Sequence, residues 1–69
     1  MGELKRYSVN LRDLSVEERH RVIDILDHQA AIASPSKNDP LVYKVYWNDP
    51  QPIEEAVNLP ARMIRLEVG

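Results

Sequence analysis

The residues best suited to chemistry stand on one stretch of the chain: His20, Asp24 and His28, spaced four apart. On a helix, residues four apart are surface neighbours, and Glu17 and Asp27 fall near the same side. Two imidazoles and a carboxylate are ligands for zinc or another first-row metal. The spacing also works against a shared ion. Each step of four drifts roughly 40° around the helix axis, so His20 and His28 diverge by about 80° and sit about two turns apart. One metal reaches i and i+4, not i and i+8. The expected role of this face is a solvated polar surface with local ion pairs such as Glu17 with Arg21, with His20, Asp24 and His28 kept as a lesser metal alternative.

The same His and Asp residues could serve as general acids and bases, which need a concave, partly dry site. A 69-residue chain with two glycines has little room for one. It carries no Gly-rich phosphate loop, nucleophile elbow or metalloprotease signature. The expectation is a non-enzyme without a cofactor; a small metal-dependent or shared-site enzyme is the last alternative.

Three further groups carry binding chemistry. Ile25 and Ile32 lie seven apart, on the side of a continuous helix away from its core face, flanked by Glu18 and Gln29. They read as an interface for a second copy or a partner. A helix ending near His28 would remove Ile32 from that stripe. Tyr43, Tyr46 and Trp47 cluster around Lys44 on one strand. Tyr and Trp are enriched in protein-binding hot spots and can also stack bases. Alternation puts Tyr43 and Trp47 with Leu41 and Val45, on the core face, and Tyr46 outside. Trp47-Asn48-Asp49-Pro50 also stands at a strand end, a common place for a binding loop. Ile25, Ile32, Tyr46 and Trp47 are therefore the candidate partner-binding residues. Lys5, Arg6, Arg12, Arg62 and Arg65 form a scattered basic set. If the first and third strands are neighbours, Arg6 and Arg65 share the outer sheet face, and Arg6, Arg62, Arg65 and Tyr46 become a nucleic-acid alternative.

The elements that must position these residues follow from periodicity. Leu4 to Leu11 alternates as a half-buried strand, with Tyr7, Val9 and Leu11 inward. Ser15 and Glu18 have capping-box spacing, and Glu17 and Glu18 place negative charge at the positive end of the helix dipole. The stripe Val16, Ile23, Leu26, Ala30 and Ala33, with Val22 at its margin, predicts a helix from about Val16 to Ile32, stopped by Pro35. Ser34 to Pro40 is a loop by composition. Leu41 to Trp47 is a second strand, apolar on both faces, which places it inside a sheet or under another subunit. After the break at Asn48 to Pro52, Ile53 to Asn58 makes a short helix. Arg62 to Val68 is a third strand with Ile64, Leu66 and Val68 inward. The expected class is α+β: a small three-stranded sheet, β-α-β-short α-β, with one long amphipathic helix on one face and the second and third strands antiparallel.

Composition bounds the rest. One domain, 1–69, is expected from the length. There is no cysteine, which excludes disulfides and thiol chemistry and suits a reducing, cytoplasmic setting. Nine Lys and Arg against eleven Asp and Glu leave a formal net charge of -2, too balanced for a strongly basic nucleic-acid binder. The longest apolar runs are too short for a membrane span, and Met1 to Asn10 is too polar for a signal segment. A hydrophobic fraction of 43% supports a core, but a thin one, so a homodimer or a partner protein is expected to complete it. The sum of these features matches the small accessory proteins of bacteria and phages that occupy a site on a larger protein. The leading expectation is such a regulator or inhibitor, phage- or mobile-element-encoded, that binds another protein.

Overall fold

The computed structural model describes residues 4–67. Strand β1 (Lys5–Asn10) leads into helix α1 (Val16–Gln29), then strands β2 (Ile32–Pro35) and β3 (Val42–Trp47), helix α2 (Ile53–Val57), a 3₁₀ turn (Ala61–Met63) and strand β4 (Ile64–Glu67). The four strands form one sheet in the order β2-β3-β1-β4, with every neighbouring pair antiparallel. This is the split βαβ connectivity of the ferredoxin-like arrangement, βαββαβ with β1 and β3 central. The class is α+β as expected, with four strands rather than three.

The additional strand has a clear cause. Helix α1 stops at Gln29, although no Gly or Pro stands before Pro35. Ala30 turns extended, and the Ala31 N–H donates to the Tyr46 carbonyl at 2.9 Å. From there Ile32 to Pro35 pair with Tyr46 to Tyr43. Sheet pairing outcompetes the last helical turn, because local helix preference is weak beside tertiary contacts. Ile32 therefore belongs to a strand, not to the helix expected through it. The Ser34–Pro40 stretch is a loop only from Ser36 onward.

Strand order brings a second correction. The strands from Leu41 and Arg62 are not neighbours. β1 lies between them, and each is antiparallel to β1, so the two run in the same direction. β1 and β4 are neighbours, with Ser8 opposite Arg65 and Arg6 opposite Glu67. Val68 lies outside the described residues.

Both helices pack on one face of the sheet. Val9, Val45 and Trp47 from the strands and Leu11 just after β1 meet Val22 and Leu26 of α1, Ile53 and Val57 of α2, and Leu59. Ser15 caps α1, its hydroxyl accepting from the Glu18 N–H at 3.2 Å, which satisfies one of the helix's orphan donors. The Arg19 Nε donates to the Leu11 carbonyl at 3.0 Å and ties the start of α1 to the end of β1. Arg21 reaches across to α2, donating to the Val57 carbonyl at 3.0 Å. A guanidinium at a helix C-terminus suits the negative end of the dipole. Asn58 takes the left-handed conformation (φ 55°) that ends α2, a conformation Asn tolerates better than most residues. Ion pairing of Arg12 with Asp39 and the Leu11 N–H bond to the Leu41 carbonyl at 2.8 Å anchor the β2–β3 connection.

Candidate functional site: the open face of the sheet

Cross-strand partners share a sheet face, so the register assigns every side chain. Tyr7, Val9, Tyr43, Val45, Trp47, Ala33, Ile64 and Leu66 face the helices. Among the described residues no helix covers the opposite face. It is built from two complete rows that cross all four strands. One reads Ile32, Tyr46, Arg6, Glu67; the next reads Ser34, Lys44, Ser8, Arg65. Val42 and Asn10 begin a third. Rows two residues apart are separated by about 6.7 Å, and four strands span about 14 Å, so these side chains make one continuous patch.

Ile32 is 55% exposed, Tyr46 is half-buried, and Arg6, Lys44, Arg65 and Glu67 are exposed. A depression of about 160 Å³ lies within the patch, lined by Arg6, Lys44, Tyr46 and Glu67 together with Tyr7 and Val45. Three cations and one carboxylate give these rows a net charge of +2. Helices α1 and α2 together hold six carboxylates and two arginines, a net of -4 with the histidines neutral. The molecule is thus polarised across its sheet, which the overall charge of -2 conceals.

The sequence-derived candidates divide around this face. Ile32 and Tyr46 are on it, directly opposite each other, because β2 exists; they do not form a stripe with Ile25. Ile25 is half-buried on α1 and packs against the core. Val16, expected in the core stripe, is 61% exposed. Trp47 is 3% exposed and is a core residue, not an exposed partner-binding one. Its indole Nε1 donates to the Gln51 carbonyl at 2.8 Å, while the Gln51 N–H donates to the Asp49 side chain at 2.9 Å. The Asn48–Pro52 segment is thereby folded onto the Trp47 ring. Arg6 and Arg65 share the open face. Arg62 sits in the 3₁₀ turn, beside Asn10, Asp13 and Met63 and off the two rows. Lys44, Ser8 and Ser34 complete the patch; the Val42-Lys44-Tyr46 alternation pointed to Lys44, but nothing local pointed to Ser34.

His20, Asp24 and His28 lie on α1, on the other side of the sheet. Among the described residues no three His, Asp or Glu side chains gather as metal ligands. His28 instead folds back on its own helix. Its Nδ1 donates to the Asp24 carbonyl at 2.7 Å and lies 3.6 Å from the Asp24 carboxylate. The carbonyl bond first, and the Asp24 charge second, raise the His28 pKa above the ordinary histidine value. When protonated, this ring is a cation in the last turn of α1, favourable with the helix dipole. No helix among the described residues is long and apolar enough to cross a membrane.

No family model, no curated protein and no solved structure matches the chain.

Proposed function

We propose that this chain is a non-enzymatic binding module whose working surface is the open sheet face and whose partner is an acidic surface on a larger protein. The observation that carries the reading is the clustering of Arg6, Lys44 and Arg65 around Tyr46 and the exposed Ile32. Tyr and Arg are the residues most enriched at protein-binding hot spots, and an apolar centre within a charged rim is the usual anatomy of an interface. The positive sign of this face selects an acidic partner and speeds encounter with it. The negative helical side repels the same partner and fixes which way round it docks. The position of both histidines on the far side of the sheet from this face supports a binding role over catalysis. In its concrete form the protein is a regulator or inhibitor, of the kind that phages and mobile elements encode, that covers an acidic site on its target.

Single-stranded nucleic acid fits this surface less well. Base stacking draws on several aromatic rings along a cationic track, and these rows supply one tyrosine and place a carboxylate, Glu67, beside the cations. A direct experiment separates the two. The chain and an Arg6→Glu/Lys44→Glu variant are immobilised and exposed to lysate of the cells that make the protein, before and after nuclease treatment. The expected result is a protein retained by the native chain after nuclease treatment, eluted by moderate salt and absent from the variant. Loss of the retained material on nuclease treatment would transfer the face to nucleic acid. Equal retention by the variant would remove the face from function.

A further inference from the structure

The two edges of the sheet differ in a way that bears on self-association. Edge strand β2 reads Ile-Ala-Ser-Pro; it has no charge, and Pro35 removes one ladder N–H. Proline at an edge is a standard block to pairing with another chain. Edge strand β4 reads Ile-Arg-Leu-Glu, with no proline and with full donors and acceptors. Leu66 on this strand is 53% exposed, although its register opposite Tyr7 turns it toward the helical side. At this edge the helices leave an apolar side chain uncovered.

We propose that β4 pairs antiparallel with β4 of a second copy about a twofold axis through Leu66. Charge complementarity selects this register. A twofold axis perpendicular to the sheet keeps each face on its own side, so the axis must pass through a residue position. Centred on Arg65 it would set Arg65 against Arg65, and centred on Glu67 it would set Glu67 against Glu67. Like charges directly opposite are destabilising. Centred on Ile64 it would drive the 3₁₀ turn into the ladder. Centred on Leu66 it sets Arg65 opposite Glu67 of the second copy, twice by symmetry, and Leu66 against Leu66 on the helical side. Directly opposed side chains have Cβ atoms about 5 Å apart, within reach of an Arg–Glu ion pair. The result is a continuous eight-stranded sheet in which both open faces look the same way, so the basic patch is presented twice on one side. The inference does not depend on what that patch binds.

The test is sedimentation equilibrium over a concentration series on the native chain, Arg65→Glu, Glu67→Arg, Leu66→Asp, and an equimolar mixture of the two charge variants. The native chain is expected to form a dimer. Arg65→Glu and Glu67→Arg each set like charges at both symmetric contacts and are expected to weaken it about tenfold or more. Their mixture restores two Arg–Glu contacts per heterodimer and is expected to dimerise again. Arg65 faces Ser8 within its own chain, whereas Glu67 faces Arg6. Should Glu67→Arg lose its fold by circular dichroism, Arg65→Glu and Leu66→Asp decide the matter. A native chain that stays monomeric overturns the proposal. So does a dimer that persists in both of those variants, or a mixture of folded charge variants that stays monomeric.

Discussion

Tyr46 and Trp47 are adjacent on one strand and live in different environments. Trp47 faces the helices, is 3% exposed and is held by a hydrogen bond to Gln51. Tyr46 faces away, between Ile32 and Arg6, with no helix above it. The same contrast runs through the whole sheet. One face spends most of its residues on the fold: Val9, Val45 and Trp47 are buried against two helices. The other carries Arg, Lys, Ser, Tyr and Glu and contributes little to packing. In a chain of this size the full stability is on the order of 3–10 kcal/mol, so the covered face has little to spare. The open face is free to be shaped by binding.

Substitutions at neighbouring positions should separate these roles, beginning with the largest effect. Trp47→Ala is expected to cost about 3–5 kcal/mol, as for a large aromatic removed from a core. The urea midpoint should fall in proportion, reaching zero denaturant where the cost equals the native stability. Trp47→Phe keeps an aromatic ring and leaves the Gln51 carbonyl without its indole donor; the expected loss is about 1–3 kcal/mol. An equal cost for Trp47→Ala and Tyr46→Ala would erase the contrast between the faces.

Ser15→Ala removes the cap of α1 and is expected to cost about 1 kcal/mol, read as a lower thermal midpoint. Lys44→Glu on the open face should change stability by no more than about 0.5 kcal/mol while weakening partner binding tenfold or more. The smallest effect belongs to His28. Its raised pKa means that the folded chain favours the protonated ring. The associated stability is therefore full below the ordinary histidine pKa and is lost as pH rises through the folded value. A proton-detected titration of the imidazole should find its midpoint above that of an unstructured histidine. Asp24→Asn should bring it only part of the way back, because the larger cause is the backbone carbonyl at position 24, which remains.

The contrast was partly legible in the sequence. Alternation along Leu41 to Trp47 separated Tyr43, Val45 and Trp47 from Lys44 and Tyr46, and the register bears this out. The cap at Ser15, the short helix after Pro52 and the shared face of Arg6 and Arg65, expected if their strands are neighbours, were readable for similar reasons: each depends on local spacing or on one neighbouring strand. β2 was not readable. Ala30 to Ala33 continues the helical stripe, and only the bonds from Ala31 and Ile32–Pro35 to β3 divert it into the sheet. Because β2 was hidden, so was the pairing of Ile32 with Tyr46, and Ile25 was grouped with Ile32 in a helical stripe that the fold does not make. Trp47 drew a binding role from its place before the Asn48–Pro52 turn; burial of its ring assigns it to the core.

On the proposed function, the positive open face and not the negative helical face meets the partner. The most direct test is calorimetric titration of the captured partner into two folded variants that each add one carboxylate: Lys44→Glu on the open face and His20→Glu on the exposed side of α1. Lys44→Glu is expected to weaken binding tenfold or more, about 1.4 kcal/mol, while His20→Glu leaves it unchanged. Native-strength binding by Lys44→Glu, or a larger loss in His20→Glu, would contradict this reading.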